Sequence, residues 1–218
     1  MAGQPKQQRA VKTRDDILYA AAVTFDELGY KGASMREIMR RAGVTLGAVY
    51  FHFDNKEELA SAVILSQTGE LTTNLHSEGA QRMVDFSMVW AHQLNVSPLI
   101  RAAVRLAVEQ RAIGIRDDAS FGDFEAIFQT WLEAAREEGE LAPGVDPAVV
   151  AEFLVGAFTG VQHYAQLSDA LDTLPDRVVS MWHLLLPGIV TRECLDRLVI
   201  DPARGRVDVP PPGGDSAA

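Results

Sequence analysis

The chain has 218 residues, of which 47% are apolar and 23% charged, the balance of an ordinary globular protein with enough length for a sizeable core. No run of eighteen apolar residues occurs, which excludes a membrane span, and the single cysteine, Cys194, excludes an internal disulfide and fits a reducing cytoplasm. The net charge of −10 is uneven: residues 1–60 hold nine Lys/Arg and eight Asp/Glu, so the acidic excess belongs to the remainder. Such a molecule can meet a polyanion with its N-terminal end only.

Residues 1–10 are polar, contain Gly3 and Pro5, and are expected to form a mobile basic arm. Lys6, Arg9, Lys12 and Arg14 lie there or at the start of a first helix, for which Thr13 reads as the cap. Ile17, Ala21, Phe25 and Leu28 mark its buried face, and Gly29 ends it. Met35, Ile38, Met39 and Ala42 then fall at i, i+3, i+4 and i+7, one apolar face of a short helix. Ser34 before it and Glu37 three residues later have the spacing of a capping box. Gly43 suits a left-handed turn, and Thr45 caps a second short helix from Leu46 to about His52. Two short helices across such a turn are the helix-turn-helix pattern, although the spacing alone fits an ordinary αα-hairpin equally well.

The remainder also reads as helical. Asp54 or Asn55 caps a helix from Lys56 towards Leu75, followed by one through Met83, Phe86, Val89 and Trp90 and another through Ile100, Val104 and Leu106 to about Gln110. Gly114 to Ser120 is expected to be a loop. Phe124, Phe128, Trp131, Leu132 and Ala135 share a face of the next helix, which closes at Gly139. Asp146-Pro147 starts a helix to about Leu167, and a last segment from Leu174 breaks near Pro187-Gly188 before a shorter piece to about Val199. The Pro/Gly-rich end reads as disordered. The fold class is all-α, with expected domains at 1–54 and 55–200 and a tail at 201–218. There is no HExxH, Gly-rich phosphate loop, Cys/His cluster at metal spacing or serine elbow, so no catalytic residue, metal or cofactor is expected.

The string TRDDILYAAAVTFDELGYKGASMREIMRRAGVTLGAVYFHFDNKEELA resembles the DNA-binding domain of the TetR family of transcriptional regulators over roughly residues 9–67. The wording YFHF and KEELA is most similar to the γ-butyrolactone autoregulator receptors. The resemblance implies a cytoplasmic homodimer that binds a double-stranded DNA operator and is released by a small apolar effector. An antibiotic- or drug-sensing regulator of an efflux pump is the neighbouring alternative. It also implies that Leu46, Gly47, Ala48, Tyr50 and Phe51 face the major groove, where none can read a base with a charge or an amide. Arg36 on the preceding helix is then the candidate reader of guanine. Ser34, Thr45, Tyr50, His52 and Lys56 are implied phosphate contacts, and Lys12 and Arg14 complete the DNA set. The receptors usually carry a lysine where this chain has Leu46.

Within the body, the resemblance turns an aromatic-rich core into an effector site. Its candidates are Gln67, Phe86, Trp90, Gln110, Phe124, Phe128, Trp131, Phe158, Thr159, Gln162 and Trp182. The receptors usually place a ligand-contacting tryptophan where Phe124 stands, so a ligand related to but distinct from the simple γ-butyrolactones is implied. The helix with Phe153, Gly156 and Gly160 is apolar on more than one face and, with Trp182, is the implied dimer interface.

Overall fold

The computed structural model describes residues 4–72, 75–109 and 119–206. Its described part consists of α-helices and 3-10 turns, with one isolated β-bridge between Leu141 and Val190. No helix among the described residues is long and apolar enough to cross a membrane. Two compact units are present: the described residues of Met1–Gln67 with Ser97–Asp117, and those of Thr68–Val96 with Asp118–Asp208.

The first unit is built from α1 (Gln4–Gly32), α2 (Met35–Ala42), α3 (Leu46–His52), the larger part of α4 (Lys56–Thr72) and α6 (Pro98–Glu109). It thus extends past residue 54 and includes a helix distant in sequence. The expected mobile arm is helical from Gln4, and Thr13 lies inside α1, its hydroxyl donating to the Arg9 carbonyl at 2.8 Å instead of capping an end. Ile17, Ala21 and Phe25 form the buried stripe, while Leu28 is exposed. At Gly29 the backbone turns left-handed (φ 67°) and the helix kinks, and a β-carbon there would meet the Arg105 guanidinium at 2.8 Å. Arg101 of α6 grips Asp26 of α1 through Nε and Nη2 at 3.0 and 2.8 Å, so an ion pair that is three-quarters shielded joins these helices.

The second unit is organised around α5 (Gly79–Val96), which is buried on nearly every side. A helix apolar all round must be surrounded. Around it stand α7 (Ala119–Glu137), α8 (Pro147–Leu167), α9 (Leu174–Ile189) and a 3-10 turn at Pro202–Gly205, while the short α10 (Arg192–Leu195) packs on α9. Asp146 caps α8 by accepting from the Ala148 amide, with Pro147 at the first helical position as the sequence implies. Pro187 does not break α9, which continues to Ile189; among the described residues only Arg192–Leu195 is α-helical beyond it.

The start of the expected tail is ordered. Gln81 of α5 pairs with Val199 twice, donating to its carbonyl at 3.0 Å and accepting from its amide at 2.9 Å. Arg204 forks onto both carboxylate oxygens of Asp85 at 2.6 Å each. Gly205 lies so close to α5 that a β-carbon would meet the Met88 carbonyl oxygen at 2.1 Å. Residues 199–205 therefore form a strap across α5, and residues 207–218 lie outside the described part.

Candidate nucleic-acid interface and aromatic core

The helix-turn-helix is capped at both starts. The Ser34 hydroxyl accepts from the Glu37 amide at 3.2 Å, Gly43 takes the left-handed turn at φ 67°, and Thr45 accepts from the Ala48 amide at 3.2 Å. Only half of the capping box forms, because the Glu37 carboxylate turns to Arg40 (2.6 Å) and Arg41 (3.1 Å). Ile38, Val49 and Phe53 are buried and hold the two helices together. That leaves Gly47, Tyr50 and Phe51 exposed, with Phe51 81% accessible; Leu46, Ala48 and His52 are half-buried. The outward face of α3 is thus neutral and smooth, suited to apolar contact with a thymine methyl and to close backbone approach.

The cations of this unit divide sharply. Hydrogen bonds from Arg40 and Arg41 hold the Glu37 carboxyl down at about 2, and Arg41 also pairs with Glu27. Arg40 therefore staples α2 internally and Arg41 also ties it to α1, a cluster that sequence reasoning missed because Glu27 lies on another helix. Arg14 stacks over the Phe53 ring at 5.2 Å, and Lys12 pairs with Asp16 at 3.5 Å. Lys56 donates inward to the carbonyls of Tyr30 (2.9 Å) and Ala33 (3.1 Å) and sits 4.2 Å above the Tyr30 ring. Its ammonium ties the start of α4 to the end of α1, which the implied phosphate role did not anticipate. Arg36, by contrast, is exposed and has no ion-pair partner among the described residues.

The two cations should consequently separate in experiment. Arg36→Ala is expected to cost roughly 1–3 kcal/mol on a specific duplex and to relax one base-pair preference per half-site, with an unchanged melting temperature. Lys56→Met leaves two carbonyls short of a donor and should lower stability by about 2 kcal/mol. Equal loss on specific and random duplexes for Arg36→Ala would reduce that residue to a phosphate contact.

In the second unit Phe86 is the centre of an aromatic cluster, with ring centroids 5.7 Å from Phe124, 5.1 Å from Phe128 and 5.7 Å from Trp131. Phe158 bridges Phe128, Trp90 and Trp182 at 5.8, 5.5 and 6.0 Å. Gln162 is buried beside this helix face, and among the described residues no hydrogen bond holds its carboxamide. Thr159 donates to the Val155 carbonyl at 2.8 Å. Gln67 is buried in the first unit, and Gln110 lies outside the described residues.

Trp182 cannot belong to a dimer surface. It is 1% exposed, and its indole donates to Ser87 at 2.7 Å inside the unit. The other three candidates do lie outward: Phe153 is 55% exposed, and nothing stands within 4 Å of a β-carbon at Gly156 or Gly160. Val149, Tyr164 and Leu167 extend the same stripe of α8, and Leu184 of α9 is 81% exposed. An apolar stripe of this length is a cover for something.

The family model for bacterial regulatory proteins of the tetR family matches residues 17–63, and that for the Tetracyclin repressor-like C-terminal domain matches residues 80–191. The A-factor receptor protein of Streptomyces griseus is 38% identical over 184 residues, covering 84% of this chain and 66% of the receptor. The chain thus spans about two thirds of that relative's length. Full-length native TylP, a TetR regulator from Streptomyces fradiae, superposes with a TM-score of 0.82 at 36% identity, covering 90% of this chain and 95% of its own. A γ-butyrolactone receptor described as ArpA-like gives a TM-score of 0.67 at 30% identity, covering 90% and 97%. Two models that divide the chain between a DNA-binding head and a helical body agree with full-length likeness to solved regulators, and the protein belongs to the TetR family of bacterial regulatory proteins.

Proposed function

We propose that the protein is a homodimeric repressor, acting in the cytoplasm, that leaves a near-palindromic operator when a small lipophilic effector enters the body. The exposed neutral face of α3, held by two caps and a three-residue core, carries the DNA part of this reading. In a symmetric dimer two such faces lie about 34–36 Å apart, one DNA turn. The aromatic cluster around Phe86, with the unheld amide of Gln162, supports the effector part: apolar walls and a few polar groups are how small ligands are held. Likeness to the A-factor receptor and to a γ-butyrolactone receptor points to genes of secondary metabolism. Phe124 at the implied tryptophan position has a smaller ring and no indole donor, favouring a relative of the simple γ-butyrolactones.

The effector must prefer the DNA-incompetent state, since equal affinity for both states moves no population. The test selects an operator from random duplexes, then follows its release by fluorescence anisotropy against butyrolactones, butenolides, furans and polyketides. Release by at least one class is expected. Operator binding unmoved by every class would overturn the effector reading, and release by simple γ-butyrolactones alone, with no gain from Phe124→Trp, would overturn the inference from Phe124.

A further inference from the structure

One cation of α5 is left without a counter-ion among the described residues. Arg82 stands one helical turn before Phe86, and its guanidinium carbon lies 5.1 Å from the centroid of the Trp131 ring. Its Nε is buried and has no hydrogen-bond partner among the described residues. The two carboxylates that other parts of α5 engage are already committed. Asp85 accepts from Arg204 on both oxygens and from Gln81 at 2.7 Å. Glu140 accepts from the Ala80 amide at 2.8 Å and pairs with Arg197 at 3.6 Å.

A buried donor of a cation without an acceptor carries a desolvation cost that an arriving anion removes. A guanidinium is moreover a planar fork that stacks on aromatic faces and matches a carboxylate, so its position on Trp131 is already the pose such a pair needs. The apolar cluster begins next to it, because Phe86 touches Trp131, Phe128 and Phe124. A cation at the edge of an aromatic wall selects one chemical class, an acid group on an apolar body.

We propose that Arg82 is the anion-recognising end of the effector site and that the effector is a lipophilic relative of the γ-butyrolactones that carries a free carboxylate. This rests on the reading of the aromatic core as the effector site. Trp131 forms the stacking wall for the Arg82–carboxylate pair, and the ring cluster receives the apolar body.

The experiment is calorimetric titration of the full chain with decanoate, methyl decanoate and γ-decalactone below their aggregation limits. Wild type, Arg82→Met and Arg82→Gln are compared after circular dichroism confirms that each is folded. Wild type should bind decanoate roughly tenfold or more tightly than the methyl ester, the size of one charge-assisted hydrogen bond. Both variants should lose that preference while keeping their affinity for the ester and lactone. Equal binding of acid and ester by wild type, or a preference that survives both substitutions, overturns the role of Arg82. Lactone binding without any acid preference would do so while leaving the effector reading intact. Absence of binding by all three probes in wild type overturns the role of Arg82 as well, while the effector reading is decided separately by operator release.

Discussion

The double substitution Gly156→Leu, Gly160→Leu should dissociate the proposed dimer while leaving each protomer folded. Nothing stands within 4 Å of a β-carbon at either glycine, so the protomer has room for both side chains. Leucine is also the better helix former, by somewhat under 1 kcal/mol per site, so α8 itself gains. Among the described residues nothing meets the new side chains, so what they would strike is the second copy proposed to sit on the stripe of Val149, Phe153 and Tyr164. Sedimentation should therefore give a monomer whose melting temperature no longer depends on protein concentration. Operator affinity should fall about a hundredfold or more, because each head then binds its half-site alone. A variant that stays dimeric and holds the full operator places the interface elsewhere.

How far the sequence could be read depends on the distance over which each feature is decided. The helix-turn-helix was legible because its signals are local: Ser34 and Thr45 cap helices three residues away, and Gly43 turns between them. Lys56 was legible as a cation of the right motif but not as a buried tie, since its acceptors at Tyr30 and Ala33 lie 26 and 23 residues away. Periodicity assigned Trp182 and Gly156 to faces without saying which face turns inward. Only packing does so: Ser87 takes the indole of Trp182, and nothing covers Gly156. The end of the chain was the least legible part. Pro and Gly composition reads as disorder, whereas the seat of residues 199–205 is made by Gln81 and Asp85, more than a hundred residues earlier.

Gly205→Val should release that strap and lower stability by about 3 kcal/mol, roughly 10 °C in melting temperature for a chain of this size. The atom that a β-carbon would strike at 2.1 Å is the Met88 carbonyl oxygen, part of the α5 backbone, which cannot turn aside as a side chain could. The Val199 pairing and the Arg204 fork sit on the same short segment, so displacing Gly205 strains both. Arg204→Met tests the fork alone and should cost less, because the arginine is 38% exposed and solvent screens part of the pair. Acid supplies an independent check. Burial works against the Asp85 charge, but hydrogen bonds from Arg204 and Gln81 outweigh it and hold the carboxyl below its ordinary value. A carboxylate lowered on folding stabilises above its unfolded pKa, about 4, and that contribution disappears as pH falls through the folded value. The gap in melting temperature between wild type and Arg204→Met should accordingly be full at pH 7 and narrow below about pH 4. A Gly205→Val protein that melts with wild type would mean that residues 199–205 do not close on α5 in solution.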